Sequence, residues 1–203
     1  MGIRSLRTAS ISTGVKRSKV WDQSAVVALP TSYESIATQT VGAGGAASVT
    51  FSSVPSGYKH LQIRGISRCT KVDTGSENVV MSFNGDTTNT NYRTHLIDGD
   101  GAGVSSTDIQ VSAFYAQGAL TIGNNATANA YGATVIDILD YTNTNKNKTV
   151  RLLTGVDTSG YGQIRFASSL WMNTAAITSI TLNPRSAGNF SQYSTFALYG
   201  IKG

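Results

Sequence analysis

Charge is scarce in this chain. Only 13% of its 203 residues are Asp, Glu, Lys or Arg, about half the ~25% usual in globular proteins. Gly, Ser, Thr and Asn fill the gap and give neutral, turn-rich surfaces unlike those of a typical cytosolic enzyme. A single cysteine, Cys69, excludes an internal disulfide; at a strand end it reads as a small buried hydrophobe. No apolar run approaches the ~20 residues of a membrane span, so no membrane partner is expected. The N-terminus carries charge without the roughly 7–15-residue apolar core of a secretory signal behind it. Leu6 stands where N-myristoylation of Gly2 requires Ser or Thr. Sequons at Asn125, Asn147 and Asn189 read as chance matches in an Asn- and Thr-rich chain.

Acid–base chemistry is also poorly supplied. There are two histidines, His60 and His95, and a hydrolytic triad needs one of them beside a Ser or Cys69 and a carboxylate. Cys69 has no nucleophile motif around it, and both histidines fall in strand-like sequence, so sheet histidines with satisfied partners are expected. Asp98 and Asp100, spaced by glycines, partly match a calcium loop, but position 109 is Ile109 where the ~12-residue loop needs Glu; turn chemistry accounts for them. Asp137 and Asp140 are close enough in sequence to raise a glycosidase carboxylate pair, and solvent-facing sheet positions explain both. No catalytic residue, metal site or cofactor is expected, and the chain is read as a non-enzyme.

The charge that is present is segregated. The formal net charge is +5, and residues 1–20 hold Arg4, Arg7, Lys16, Arg17 and Lys19 with no acid. Removing these five from the 16 basic residues leaves 11 against all 11 acids, so the remainder is neutral. Residues 1–32 show no sustained period and are dense in Ser and Thr. Such a segment cannot bury enough apolar surface alone to offset its ordering entropy. Its scattered Ile, Leu6 and Trp21 are more apolar than a solvating tail needs. We read it as an extended arm that orders on a partner, with Arg4, Leu6, Arg7, Lys16, Arg17, Lys19 and Trp21 as the contact residues. The bases are spread and no nucleic-acid-reading fold accompanies them, so an acidic protein surface is the expected partner and nucleic acid is not.

Residues 33–203 read as β structure. From Leu61 to Cys69, the set Leu61, Ile63, Gly65 and Ser67 alternates with Gln62, Arg64, Ile66 and Arg68, a period of two. Val54-Pro-Ser-Gly57 is a turn, and 47–51 before it alternates too, which predicts that these two strands pair antiparallel. Further strands are predicted at 33–41, 79–83, 92–97, 134–139, 150–156, 163–172, 177–182 and 196–201. Asn84-Gly85 is the strongest hairpin signal, in a polar stretch long enough for a larger loop. Residues 98–103 read as a loop. Ile109 to Ile122 is compatible with one strand, two strands or a short helix around 113–117. About nine or ten strands spaced by roughly 8–15 residues argue for an all-β sandwich or barrel. Tyr92, Tyr131, Tyr141, Tyr161 and Trp171 are candidates for stacking on sugar rings.

Four segments also carry a resemblance: Val54-Pro-Ser-Gly-Tyr-Lys-His-Leu-Gln-Ile-Arg64, Phe83-Asn-Gly-Asp86, Trp171-Met-Asn-Thr-Ala-Ala-Ile-Thr-Ser-Ile180 and Ser194-Thr-Phe-Ala-Leu-Tyr-Gly-Ile-Lys202. From about Tyr33 to Gly203 the chain resembles tailed-bacteriophage virion structural proteins, frequent in phages of cyanobacteria and other aquatic bacteria. Met1-Gly-Ile-Arg-Ser-Leu-Arg7 is similar to the start of proteins in the same group. The resemblance implies a jelly-roll-like β-sandwich with an extended N-terminal arm, commonly a homotrimer, made in the bacterial host cytoplasm and exposed on the virion. It implies a capsid decoration (cement) protein bound to the major capsid protein on the capsid exterior. The alternative is a tail-fibre or receptor-binding module that recognises host glycans.

Overall fold

The computed structural model describes residues 32–72, 75–109, 115–186 and 188–203. Among these the secondary structure is twelve strands and one 3₁₀ turn at Asn89–Asn91, with no α-helix. The strands are β1 (Tyr33–Thr40), β2 (Val49–Phe51), β3 (His60–Ser67), β4 (Ser76–Phe83), β5 (Tyr92–Gly99), β6 (Val104–Ile109), β7 (Ala116–Ile122), β8 (Gly132–Leu139), β9 (Lys148–Thr158), β10 (Tyr161–Trp171), β11 (Ile180–Pro184) and β12 (Thr195–Ile201).

They form two antiparallel sheets. The larger is ordered β1-β12-β3-β8-β9-β10-β5-β6 and the smaller β2-β11-β4-β7. The quartets β1-β12-β3-β8 and β2-β11-β4-β7 are the two sheets of a jelly roll, in which the chain repeatedly crosses from one sheet to the other. The other four strands are two inserted hairpins, β5–β6 and β9–β10, which join each other and extend the first sheet past β8.

This topology corrects one pairing. β2 does not pair with β3: it pairs with β11 in the small sheet, while β3 lies between β12 and β8 in the large one. The Val54–Gly57 turn carries the chain across the sandwich. A turn motif reports a reversal of direction, not whether the next strand joins the same sheet. Asn84-Gly85 behaves likewise. Both residues have positive φ (53° and 70°) and Asp86 N–H donates to Phe83 O at 2.8 Å, a tight turn, yet β4 and β5 leave it for opposite sheets.

The core lies between the sheets. Leu61, Ile63, Ile136, Ile138, Val150, Leu152 and Leu198 from the large sheet meet Phe51, Met81, Phe83 and Leu182 from the small one. Each such burial contributes roughly 1.5–3 kcal/mol. The alternation read in β3 holds, with Leu61 and Ile63 buried and Arg64 and Ile66 exposed. Gly65 makes room for its cross-strand neighbour Phe196: a Cβ there would lie 2.6 Å from the ring. Phe196 in turn packs on Phe190, ring centroids 4.9 Å apart.

Of the ambiguous stretch from Ile109 to Ile122, Ile109 ends β6, residues 110–114, where the alternative short helix would begin, lie outside the described residues, and Ala116–Ile122 is β7, buried along its whole length. The large sheet curls round its free edge and caps the backbone with hydroxyls. Leu120 N–H donates to Thr154 Oγ1 at 3.1 Å, and Ser169 Oγ–H donates to Gln117 O at 3.1 Å. A strand edge satisfied this way is closed to other chains. β6 was not anticipated. Its residues Val-Ser-Ser-Thr-Asp-Ile are exposed on both faces except the partly buried Ile109. It has no dry face, so no alternation marks it.

Candidate functional site

Direct cross-strand partners point to the same side of a sheet, so the register defines the outer face of the large sheet. One row there is Ile97–Phe166–Leu153–Val135, crossing β5, β10, β9 and β8. The adjacent row is Gly99–Ile164–Gly155–Ala133, continued to Ile66 on β3 and Val104 on β6. Ile97, Phe166, Leu153, Ile164 and Ile66 each leave about half or more of their surface in water, and Val104 leaves 80%. Together they make one exposed apolar surface of the order of the largest patch on a typical monomer, about 300–600 Å². A contiguous patch of that size is costly in water unless something covers it.

Sequence reading treated Ile164, Phe166 and Trp171 as parts of one strand without separating their faces. Parity separates them: Arg165, Ala167, Ser169 and Trp171 point inward, Ile164 and Phe166 outward. The signal was available, because β10 is apolar at both parities.

The next row on this face is Asp108–His95–Ser168–Arg151–Asp137. His95 Nε2 lies 3.1 Å from Asp108 Oδ1. Ser168, His95 and Asp108 are the residue types of a hydrolytic triad in line, but among the described residues no hydrogen bond joins Ser168 to His95. The His95 side chain is 70% exposed on an open sheet, where water screens the charge that a nucleophile and its oxyanion would develop. His60 is a satisfied sheet histidine: its Nδ1 accepts the Asp140 N–H at 3.0 Å.

The sugar-stacking aromatics do not assemble, which corrects that expectation. Trp171, Tyr92 and Tyr141 are core residues, 1%, 3% and 0% exposed. The Trp171 indole N–H donates to Asp86 Oδ2 at 2.8 Å, and the Tyr92 hydroxyl donates to Asp86 O at 2.9 Å; Tyr141 hydroxyl donates to Pro55 O. Burial raises the Tyr92 hydroxyl well above the ordinary tyrosine range. Rings held this way offer no face to a ligand. Tyr161 is exposed at the β9–β10 turn and its hydroxyl meets Ser76 Oγ and Gln163 Oε1, both at 2.9 Å. Tyr131 stands elsewhere, half-buried, its hydroxyl donating to Gln192 O at 2.7 Å.

Tyr131 lines a shallow polar hollow with Arg68, Asn129, Gln192 and the exposed Tyr193. Arg68 organises its wall. Nη1 donates to Thr127 O and Ala130 O, and Nη2 to Asn124 O and Ala126 O, at 2.8–3.1 Å.

Asp98, which the structure places within β5 and not in the expected 98–103 loop, and Asp100 just beyond the strand have local duties. Asp98 pairs bidentately with Arg165, and Asp100 Oδ1 accepts the N–H groups of Ala102 and Gly103 at 2.9 Å. Among the described residues no cluster of His, Cys, Asp and Glu could hold a metal ion, and no helix is long and apolar enough to cross a membrane. Cys69 is buried, which raises its thiol pKa. The arm residues Arg4, Leu6, Arg7, Lys16, Arg17, Lys19 and Trp21 lie outside the described residues.

No protein-family model matches the chain, and no curated protein matches it. Among solved structures it is similar to a marine PL-14 alginate lyase from Aplysia kurodai, at 10% identity over 81% of this chain and 80% of that one, with a TM-score of 0.34. A likeness that weak transfers neither topology nor activity. The jelly roll is established by the strand order.

Proposed function

We propose that this is a non-enzymatic virion structural protein, a capsid decoration protein that binds the outer capsid lattice and stabilises the head. The observation that carries the reading is the segregation of charge, with the whole positive excess in residues 1–20 and a neutral, low-charge jelly-roll body after them. The resemblance of the Tyr33–Gly203 segments to phage virion proteins supports it. Its partners are the major capsid protein and further copies of itself; the resemblance implies three chains in all, and the mass of the full chain in solution decides that number. Binding only the assembled lattice stabilises that lattice by mass action. The arm, through Arg4, Arg7, Lys16, Arg17, Lys19 and Trp21, steers to and anchors on an acidic capsid surface.

Deleting residues 2–24 tests this reading. We expect loss of particle occupancy and earlier thermal rupture of heads, with the body still folded. Unchanged occupancy would remove the arm's role. Copy number per virion tests the station: on the order of hundreds for decoration, against tens or fewer for a fibre.

The hollow beside Tyr131 and Tyr193 favours the second reading, a glycan-binding tail module. Under it, Tyr193→Ala abolishes binding on a glycan array. Trp171→Ala is unsuitable for that purpose, because it empties the core.

A further inference from the structure

We propose that the outer face of the eight-stranded sheet binds the same face of a second copy of this chain about a two-fold axis. The proposal rests on the face and not on the capsid reading. The row Ile97–Phe166–Leu153–Val135 runs beside the row Gly99–Ile164–Gly155–Ala133 over the same four strands. The first row is large at every position. The second carries no side chain or only a methyl, except at Ile164.

A two-fold axis lying in the face, perpendicular to the strands, sets each strand over its own copy running the opposite way. An isologous contact requires this self-matching. The first row of one molecule then falls on the second row of the other. Leu153 meets Gly155, Ile97 meets Gly99, Val135 meets Ala133, and Phe166 meets Ile164. Three of the four contacts place a bulky group over a gap. The gap at Gly155 is open: a Cβ there finds nothing nearer than Gln163 O at 4.0 Å.

The charges obey the same operation. Along the outer face of β9, exposed Arg151 stands two positions before Leu153 and exposed Asp157 two positions after Gly155. The two-fold sets the Arg151 of each copy over the Asp157 of the other. On β9 the face is its own complement in size and charge, Arg151 also lying 3.6 Å from Asp137 of its own sheet, whereas on β3 the same operation lays Arg64 over Ile66; the self-match therefore spans β8, β9, β10 and β5.

The full chain is measured by sedimentation equilibrium over roughly 1–50 µM, a range that brackets micromolar association. We expect the mass of two chains, falling to one on dilution. Gly155→Val fills the gap. Its backbone is outside the left-handed region and Val suits a strand, so the fold persists, with a melting temperature equal to the wild type's at concentrations where both are monomers, while association weakens by about 100-fold or more, as for a blocked interface centre. Arg151→Asp weakens association, and adding Asp157→Arg to it restores association, a rescue specific to this geometry.

A monomer across that range overturns the proposal, as does wild-type association of Gly155→Val or failure of the double charge reversal to rescue. A three-chain particle overturns it while leaving the capsid reading intact. Absence from heads with the dimer preserved overturns the capsid reading alone.

Discussion

Asp86 is the residue on which one end of the core turns. Burial pushes its carboxyl up, but hydrogen bonds from Trp171 Nε1, Asn91 Nδ2 and the Thr88 N–H outweigh this and hold it below the usual carboxylate range. Asp140 is held at about 2, chiefly by Lys146 and Lys59. Both folded values lie below the unfolded ~3.9. The stability they contribute is therefore complete above pH ~4 and is lost as pH falls through the folded values. Urea midpoints at pH 5 and pH 3 check this: the decline is expected to be shallower in Asp86→Asn than in the wild type. Trp171→Ala removes a fully buried ring that packs on Phe83 at a centroid distance of 5.4 Å, and should cost about 3–5 kcal/mol by denaturant titration. Lys148 is a second such point. Its buried ammonium donates to Asn143 O, Lys146 O and Thr174 O at 2.7–2.9 Å, tying the β8–β9 loop to the stretch before β11. Lys148→Met strands those three acceptors and is expected to lower stability by about 2–4 kcal/mol, seen in the same titration.

At the scale of the element, β10 has two faces with opposite tolerances. Phe166→Ser on the outer face should leave monomer stability within about 0.5 kcal/mol, because half of that ring is already in water. In β3, Gly65→Ala is expected to cost about 1–3 kcal/mol by forcing the Phe196 ring aside; circular-dichroism melts of both variants distinguish the two cases. The strands legible in the sequence, such as β3, β8 and β12, each have one dry face, so their alternation is strong and local. β6 escaped because it has no dry face. β10 was found, but its two apolar faces were not separated, because residues apolar at both parities blur the alternation. Tyr92, Tyr141 and Trp171 read in the sequence as sugar-stacking candidates because a ring's burial depends on strands far away in sequence.

At the scale of the molecule, the two inserted hairpins give the jelly roll its distinct surface. The small sheet covers only the inner side of the large one, and its free edge is closed by Thr154 and Ser169. Beyond β8 its outer side exposes Ile97, Leu153, Ile164 and Phe166. The two proposals rest on this face and on the basic first twenty residues, and the arm deletion and the Gly155→Val variant address them separately.

Residues alone settle that this chain is made of strands, because a period of two and its turn residues are properties of neighbours in the chain. They also settle that the excess positive charge sits in the first twenty residues. They leave open which sheet each strand enters, as the turns after β2 and β4 show, since crossing the sandwich and folding back begin with the same local reversal. They leave open whether an aromatic ring or an outward Phe166 meets core, water or another surface. Those outcomes come from register and packing between segments distant in the chain, as in the Glu34–Lys202 pair, 168 residues apart, that ties β1 to the residue following β12.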